Sequence, residues 1–591
     1  MKFTPGISGA RAHKFAESPV LKLRLPAWRS RLLALSILSC FAALAGRSFY
    51  LQVLNNDFLQ KKGESRYYRD IEISASRGSI SDRNGDVLAL STPMQSVWAD
   101  PAKARSMKPE QQSQLAGLLD MDIKELQRQL ASDKSFVYLK RRLPPETGEK
   151  VAAWAAKLDL DGIGQEREFR RYYPAGGMTA HTVGYTHIVD DRGQEGIELA
   201  FQEELQGHPG RRSLIKDGKG RIVEDVGAIR PPLAGRDIRL ALDSKIQFIA
   251  FSQLQKAVGE FKAKAGSIVV ADVRTGEILA LANWPTYNPN NRERLSWAQI
   301  RNRALVDVYE PGSVMKPFTA ALALETHKVR FDTPINCAGR LAFGAQSIAD
   351  AHPHGTLSVA QVIQKSSNVG MAKIAAMLRP EQMWTMFRAI GLGQSPGTGF
   401  PGEEAGILRP WKSWRPVEQA TMSYGHGLSV SLMQLARAYT VFAREGDIIP
   451  LTLTRSDEIP ARGTPVFSAR TAREIRAMLE MATQPGGTAP KAQVPGYRVG
   501  GKTGTAEKYG SEAEKYVASF VGFAPLTEPR LVVAVMIDEP AGAHYGGDVA
   551  GPVFSAVMGG SLRVLGVRPD APVVQAAAPA VPTAAPERGR L

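Results

Sequence analysis

The stretch Glu310-Pro311-Gly312-Ser313-Val314-Met315-Lys316 places a serine and a lysine three residues apart at the start of an apolar run that begins at Phe318. Glycine and proline directly before such a run are typical of a helix start. On a helix this spacing puts the serine hydroxyl and the lysine amine on one face, within reach of each other. A serine becomes a nucleophile when a base takes its proton, and a lysine of lowered pKa can serve. The stretch therefore indicates Ser313 as a nucleophile and Lys316 as its base.

Two further motifs support this assignment of nucleophile and base, which the serine–lysine spacing alone cannot establish because it is common. It recurs in Ser213-Leu214-Ile215-Lys216, which its surroundings predict to be a strand followed by a turn. Ser366-Ser367-Asn368 precedes a predicted helix, and Lys502-Thr503-Gly504-Thr505 lies in a predicted extended segment. Taken singly, these motifs would be a helix cap and a solvated strand lysine. Together and in this order, the three motifs are typical of penicillin-binding proteins and related β-lactamases.

A competing pattern overlaps the third motif. Residues 496–503 match the phosphate-binding loop Gly-x-x-x-x-Gly-Lys-Thr. That loop requires a buried apolar strand before it and a helix directly after it. Here a segment rich in glycine and ending at Pro495 precedes the pattern, and Gly504 and a charged loop follow it. We therefore reject a phosphate-binding loop.

Composition places the chain among ordinary globular proteins. Its 591 residues, of which 43% are apolar and 22% charged, exclude a mostly disordered or fibrous protein. The 74 Lys and Arg residues exceed the 58 Asp and Glu residues, and the net charge of +16 suits anionic partners, although such a surplus is more often solvated surface. Only Cys40 and Cys337 are cysteines, which excludes a disulfide scaffold and a four-thiolate zinc site.

The N-terminal segment predicts a membrane anchor. Residues 1–31 carry seven Lys or Arg side chains and one acid, and residues 32–54 are largely apolar, interrupted by Arg47. About 20 apolar residues span a bilayer, and a positive flank stays in the cytoplasm. A cleaved signal peptide is the alternative, since Ala43-Leu44-Ala45 fits a cleavage site. The long basic segment and the apolar residues after that site favour a retained anchor, with the remainder of the chain exported.

The predicted organisation has five segments. They are a cytoplasmic basic tail (1–31), a transmembrane anchor (32–54), a polar, strand-rich pedestal (55–232), a catalytic domain (233–566) and a disordered tail rich in Ala and Pro (567–591).

The catalytic domain is predicted to be of the α+β class. Predicted strand pairs over residues 267–283 and 517–538 flank predicted helices, which cover residues 318–324, 369–378 and 432–442. Strands at both ends with helices between them indicate one antiparallel sheet whose two ends meet, covered by helices.

From the anchor to about residue 560, the chain resembles a class B penicillin-binding protein. Segments of the pedestal resemble that family's three pedestal motifs: Arg77 to Gly85, Arg171-Tyr172-Tyr173-Pro174 with His181 to Thr186, and Gly196-Ile197-Glu198 with Leu205 and Gly207. Three catalytic-domain segments also fit: Tyr287-Asn288-Pro289-Asn290, Arg301-Asn302-Arg303 and Tyr545-Gly546-Gly547. The single anchor and the Lys365 to Gly370 segment look most like the septal, FtsI-type members, and the cell-elongation members are the alternative.

The resemblance implies a peptidoglycan D,D-transpeptidase, a serine enzyme that cross-links stem peptides through an acyl-enzyme and is a target of β-lactams. Ser313 would be the nucleophile and Lys316 the general base. Ser366 would shuttle a proton, and Asn368 would orient Lys316 and the donor peptide. The other expected site residues share one strand and would hold the donor's carboxylate and backbone: Lys502, Thr503, Gly504 and Thr505.

The resemblance implies no cofactor and no metal. Some elongation enzymes carry zinc, and the residues to inspect for that alternative are Cys337, Asp350, His352 and His354. The implied partners are stem peptides, lipid-linked glycan strands, β-lactams, an FtsW-type glycosyltransferase and other division proteins of the membrane, but no nucleic acid. The implied location is the bacterial inner membrane at the division septum, with the N-terminus cytoplasmic and the catalytic domain periplasmic. A non-catalytic sensor or scaffold and a hydrolase of the same fold are the remaining alternatives.

Overall fold

A computed structural model of the chain describes residues 26–55, 68–160, 162–216, 222–343, 346–456, 462–508 and 514–571. Most of the predicted basic tail and most of the predicted Ala- and Pro-rich tail lie outside these residues. The first described element is the helix Ala27–Phe49, which continues as a π-helical turn over Tyr50–Leu54. Among the described residues, Ala27–Val53 is the one helical span long and apolar enough to cross a membrane.

The chain divides into two compact units. The first contains residues up to Ile73 together with Gly210–Pro231, and the second contains Ser74–Pro209 and everything from Pro232 onward. The first unit includes a three-stranded antiparallel sheet with the spatial order Tyr68–Ile73, Gly210–Lys216, Ile222–Arg230. The repeated serine–lysine spacing at Ser213 lies within the middle strand, as predicted, and the turn predicted after it lies outside the described residues.

The pedestal part of the second unit is built on the long strand Val87–Ala99. This strand pairs antiparallel with Ile163–Tyr172, Val137–Leu143 and Ile80–Ser81, and Ile238–Arg239 joins the last of these in parallel. The remaining pedestal elements are the helices Pro101–Ala104, Pro109–Leu118, Ile123–Leu130, Pro145–Lys157, Ala180–Val183, Gly196–Ala200 and Gln202–Leu205, with the short strands Tyr185–Thr186 and Gly193–Glu195.

The catalytic domain contains the predicted antiparallel sheet. Its five strands have the spatial order Ile278–Trp284, Ala265–Asp272, Leu531–Asp538, Tyr516–Ala524, Gly500–Glu507. The hairpin from the start of the domain therefore pairs with the hairpin from its end, with Val269 opposite Ala534. Two of the inner strands, Ala265–Asp272 and Leu531–Asp538, are buried along their whole length, which explains their continuous apolar sequences.

Helices cover both faces of this sheet, which confirms the α+β prediction. On one face Ser244–Glu260 and Gly546–Val564 enclose a core. On the other face Lys316–Glu325 and Leu432–Ala443 form the larger core, in which the rings of Phe318 and Tyr439 meet edge to face at 5.4 Å. The other helices are Trp297–Ile300, Arg303–Val306, Val359–Lys365, Asn368–Ala375, Pro380–Ala389, Pro416–Met422 and Ala469–Thr483.

Short two-stranded ladders complete the catalytic domain: Pro334–Asn336 with Thr356–Ser358, Leu341–Phe343 with Gln346–Ile348, and Asp447–Ile448 with Thr464–Pro465. The helix predicted to run to residue 378 ends at Ala375. Residues 376–378 continue as turns, in which the Leu378 N–H donates to the Ala375 carbonyl at 3.0 Å, and Pro380 opens the next helix.

Candidate active site

Ser313 lies in a tight turn that leads directly into a helix. The turn is the 3-10 segment Gly312–Met315, and the helix Lys316–Glu325 follows without a break. Gly312 has a φ of 62°, which a glycine adopts at no steric cost. Its N–H donates to the carbonyl of Gly425 at 3.1 Å, and a Cβ at Gly425 would stand 2.2 Å from the Gly312 carbonyl oxygen. The backbone beside Ser313 is therefore closely packed, and the position of the serine is set.

The Lys316 amine is fully buried and has neutral partners. Its Nζ donates to the Ser366 carbonyl at 2.5 Å and to Asn368 Oδ1 at 2.7 Å, and it lies 3.1 Å from the Ser366 hydroxyl. Burial lowers the pKa of Lys316 well below its usual value, nearby Lys502 lowers it further, and Asp350 opposes the shift. The carbonyl and the amide oxygen can only accept, so they hold two N–H groups of a neutral amine. Its lone pair is then left for a hydroxyl proton.

Ser366 connects the first motif to the third. Its backbone is left-handed, with φ 59° and ψ 39°, where the helix Val359–Lys365 ends. The hydroxyl lies within hydrogen-bond distance of the Lys316 Nζ, at 3.1 Å, and accepts from the Nζ of Lys502 at 3.0 Å. Lys502 is also fully buried, and burial lowers its pKa to about 7. One hydroxyl thus lies between two amines whose pKa values are both depressed, which is an arrangement suited to proton transfer.

Asp350 fixes the asparagine of the second motif. Its carboxylate accepts from the Ser367 hydroxyl at 2.6 Å and from the backbone N–H groups of Asn368 and Val369 at 2.5 and 2.9 Å. These groups open the helix Asn368–Ala375, whose N-terminus favours a negative charge. The Asn368 amide nitrogen donates to a backbone carbonyl at 3.2 Å, which leaves Oδ1 facing the Lys316 amine.

The possible zinc ligands are not gathered around a metal site. Asp350 is bound to the helix start, and the Cys337 thiol is buried and donates to a backbone carbonyl at 3.4 Å. His352 and His354 line the cleft beside them. Within the described ranges, no group of three or more His, Cys, Asp or Glu side chains is arranged to hold a metal ion.

The third motif lies on the edge strand Gly500–Glu507, which continues as a strand where a phosphate-binding loop would need a helix. Thr503 Oγ1 accepts from the Lys502 amine at 3.1 Å, and Thr505 Oγ1 accepts from the backbone N–H of Gly546 at 3.1 Å. Gly504 is closely packed against two other elements. A Cβ there would stand 2.4 Å from the Ser519 hydroxyl and 2.8 Å from the Pro311 carbonyl, so its glycine lets the strand pack against the nucleophile turn.

A cleft of about 620 Å³ collects these groups. The predicted residues on its walls are Ser313, Ser366, Asn368, Thr503 and Thr505. The buried amines of Lys316 and Lys502 lie behind this wall, and both are within hydrogen-bond distance of the Ser366 hydroxyl. The structure thus brings all three sequence motifs together around one cavity.

Comparisons with known proteins agree with this geometry. The chain matches the family described as the penicillin binding protein transpeptidase domain over residues 266–559, and the penicillin-binding protein dimerisation domain over residues 72–240. It is 44% identical over 554 residues to the probable peptidoglycan D,D-transpeptidase PenA of Neisseria gonorrhoeae, covering 92% of this chain and 94% of that protein. The chain is a class B penicillin-binding protein.

Two further relatives match most of the chain and about half of it, respectively. The peptidoglycan D,D-transpeptidase FtsI of Escherichia coli is 39% identical over 92% of this penicillin-binding protein and 93% of its own length. The apo transpeptidase domain of penicillin-binding protein 3 from Burkholderia pseudomallei is 53% identical, covers 56% of this chain and 98% of that one, and superimposes with a TM-score of 0.52.

In this penicillin-binding protein the three pedestal motifs meet at one buried carboxylate. Glu198 of the third motif accepts from Arg77 Nε of the first motif and from Arg171 Nε of the second, each at 2.6 Å. The second motif also reaches the catalytic domain, because Asn290 bonds both the N–H and the carbonyl of Tyr173, at 3.0 and 2.8 Å. The bonds from Arg77 to Glu198 and from Tyr173 to Asn290 therefore join segments that lie more than a hundred residues apart in the sequence.

Sequence reasoning missed an aromatic group on the rim of the cleft. The rings of Tyr516 and His544 stack with centroids 4.3 Å apart, and Tyr545 lies against His544 at 4.5 Å. All three line the cleft. Tyr516 opens one strand and His544 precedes the last helix, so no local pattern pairs them; only Tyr545 was noted, as part of a family motif.

Proposed function

We propose that this chain is a peptidoglycan D,D-transpeptidase that cross-links stem peptides through an acyl-enzyme on Ser313. The observation that carries the proposal is the pair of buried amines, Lys316 and Lys502, bonded to the one Ser366 hydroxyl beside the serine cleft. A structural lysine would be expected to reach solvent or pair with a carboxylate. A pair of amines depressed in pKa and joined by a hydroxyl suits acyl transfer.

In the acylation step, Ser313 Oγ attacks the carbonyl carbon between the two terminal D-alanines of a donor peptide. Neutral Lys316 takes the hydroxyl proton, since burial and the nearby Lys502 lower its pKa and so favour the unprotonated amine. The new C–O bond forms, the peptide C–N bond breaks, and D-alanine leaves after its nitrogen receives a proton through Ser366. Asn368 keeps the Lys316 amine in place through its 2.7 Å hydrogen bond.

The edge strand would bind the donor. Lys502 supplies positive charge for the donor's terminal carboxylate, and Thr503 and Thr505 supply hydroxyls on the cleft wall. An extended peptide can add to an edge strand through backbone hydrogen bonds. The backbone N–H groups of Ser313 and Thr505 are the proposed oxyanion donors. Gly312, the residue before Ser313, lies against the Thr505 backbone: a Cβ added to Gly312 would stand 3.7 Å from Thr505 N. The two proposed N–H donors therefore belong to neighbouring segments.

In the second step, a side-chain amine of another stem peptide attacks the ester. A C–N bond forms, the C–O bond to Ser313 breaks, and the proton of the attacking amine returns to Oγ by way of Lys316. A β-lactam presents a strained amide at the same place and would acylate Ser313 in the same way.

We further propose a septal role, with residues 32–54 as a single-pass anchor of the bacterial inner membrane, the N-terminus cytoplasmic and the catalytic domain periplasmic. The helix over Ala27–Val53, the basic segment before it, and the similarity to FtsI and PenA support this reading.

Proposed boundaries are 55–232 for the pedestal and 233–566 for the transpeptidase domain. The implied partners are lipid-linked glycan strands, an FtsW-type glycosyltransferase and other division proteins. Midcell rather than side-wall fluorescence of a fusion protein would separate division from elongation.

The function is tested by replacing the nucleophile. Ser313→Ala is expected to abolish both covalent labelling by fluorescent penicillin and cross-linking of stem peptides, because no other group forms the ester. Mass spectrometry of the wild type should place the penicilloyl adduct on the peptide containing residue 313. Ser429→Ala, on a serine outside the cleft lining, serves as the control and should label normally. Undiminished covalent labelling of Ser313→Ala would refute the assignment.

A further inference from the structure

Away from the active-site cleft, arginines crowd one cavity that is lined by pedestal residues and by the catalytic-domain residues 289, 290 and 292. The cavity has a volume of about 280 Å³. Its walls include five arginines: Arg141, Arg142, Arg170, Arg171 and Arg292. Asp191 is the single carboxylate among the described residues on the same walls. This cavity shares no lining residue with the active-site cleft.

A β-bulge turns two consecutive arginines toward this cavity. Leu143 pairs with Gln95 and Lys140 pairs with Val97, so two residues, Arg141 and Arg142, stand opposite one. In a regular strand, neighbouring side chains point to opposite faces, whereas a bulge re-aims one of them. Arg142 has a φ of 57°, a left-handed backbone that a long side chain seldom adopts. The strand is therefore distorted at the position that brings both guanidinium groups to the cavity.

Arg171 presents an unsatisfied donor in the cavity wall. Its side chain is 2% exposed; Nε bonds Glu198 at 2.6 Å and Nη1 bonds the Gly78 carbonyl at 2.7 Å. Its Nη2 is buried and has no hydrogen-bond partner among the described residues. A buried donor without an acceptor is rare and costly in native proteins. An acceptor bound in the cavity within reach of this Nη2 would satisfy it.

The carboxylates near the cavity do not balance its arginines. Arg141 and Arg142 share Glu168, and Arg142 also reaches Asp191 at 3.4 Å. Glu198 is shared between Arg171 and Arg77. Within the described part of the chain, neither Arg170 nor Arg292 forms an ion pair with a carboxylate. The cavity therefore carries an excess of positive charge in a partly buried place, where it is poorly screened.

We propose that this cavity is a binding site for an oxyanion, namely a carboxylate or phosphate group carried by a ligand of the pedestal. The planar guanidinium fork matches both groups through paired N–H bonds. The volume suits one such charged group better than a whole peptide or sugar chain. The proposal stands apart from the proposed catalysis, since none of its residues belongs to the cleft.

Calorimetric titration of the full chain in detergent tests the proposal, with inorganic phosphate and succinate as the two probes at low ionic strength. Arg292→Gln and Arg142→Gln each remove one guanidinium from the wall. Each is expected to weaken binding about tenfold, because charge-assisted hydrogen bonds are the strong ones. Arg330→Gln is the matched control, since Arg330 is 84% exposed and pairs with Asp332 at 3.6 Å. Acylation by penicillin should be unchanged in all three variants and confirms that each has folded.

The two probes separate the sources of the oxyanion. Tighter binding of phosphate points to a phosphorylated ligand, and tighter binding of succinate points to a carboxylate on a peptide or protein. In both cases the affinity should fall in the two cavity variants and not in Arg330→Gln. The proposal is overturned if neither probe binds the wild type across the millimolar range, or if both bind equally well to wild type and cavity variants.

Discussion

Buried cations occur in two regions of this protein, and the partners of these cations differ in charge. In the active site, Lys316 and Lys502 are fully buried and bond to hydroxyl, amide and carbonyl oxygens. In the pedestal, Arg77 and Arg171 each bond the carboxylate of Glu198 at 2.6 Å. Neutral partners allow an amine to lose its proton, whereas a carboxylate favours a charged partner. A buried cation with neutral partners therefore indicates chemistry, and one with an ionic partner indicates structure.

The largest expected effect comes from removing the amine proposed as the general base. Lys316→Ala should slow acylation by penicillin about 10³-fold, because general-base catalysis contributes roughly 10²–10⁴-fold. The fold should persist, since Ser366 and Asn368 keep their backbone and Asp350 contacts. Stopped-flow acylation measures the rate, and Lys328→Ala, on an exposed lysine just after the same helix, is the control. A rate within tenfold of wild type would mean that another group takes the serine proton.

In the pedestal, removing a charged partner is expected to lower stability and to leave acylation unchanged. Glu198→Gln should destabilise the pedestal by about 3–5 kcal/mol, because removing one partner of a buried ion pair leaves uncompensated charge. Two guanidinium groups lose their carboxylate at once. Native-state hydrogen exchange of the strand Ile163–Tyr172 measures the loss, and Glu203→Gln on a neighbouring helix is the control. Acylation per folded molecule should stay near wild type; a selective loss of acylation with unchanged exchange would reverse the comparison.

The sequence predicts the local structure of the three motifs well because each motif is short. The spacing of Ser313 and Lys316 within one helical turn, and the position of Lys502 on an extended segment, follow from local patterns. The meeting of the two terminal hairpins follows from the order of strands and helices. What remains beyond local patterns is the reason for Gly504, whose close neighbours Ser519 and Pro311 come from other elements.

Long-range contacts between polar side chains were the least predictable feature. Asp350 lies 18 residues before Asn368 in an irregular loop, and its binding to the helix start depends on how that loop folds back. Arg77 and Glu198 are 121 residues apart, and their meeting depends on the packing of the pedestal around its long strand. No periodicity or spacing encodes such contacts; they result from tertiary packing.

The pH dependence of acylation sharpens the comparison, since the proposed chemistry needs Lys316 unprotonated and Lys502 protonated. Lys316 acts unprotonated, so the rate rises with pH through its depressed pKa. Lys502 acts protonated, so the rate falls as pH passes its pKa of about 7. The profile should be bell-shaped, with about a tenfold decrease for each pH unit well above the alkaline pKa. In Lys502→Arg the guanidinium stays charged, so the alkaline limb should disappear. An alkaline limb that persists in this variant would assign it to another group.

The smallest expected effect comes from Asp350, the carboxylate that opposes the lowering of the Lys316 pKa. Asp350→Asn should lower the acylation rate about fivefold, because losing a charged acceptor at a helix start costs about 1 kcal/mol and loosens Asn368. Asp350 also raises the pKa of Lys316, against the larger effects of burial and Lys502. Removing its charge should therefore move the acid limb of the pH profile to lower pH, while the exposed Asp332→Asn leaves it in place. Loss of the Asp350 charge can by itself only lower the pKa of Lys316. An acid limb that moves to higher pH would therefore show that Asp350 acts on Lys316 mainly by orienting the groups that bond to the amine.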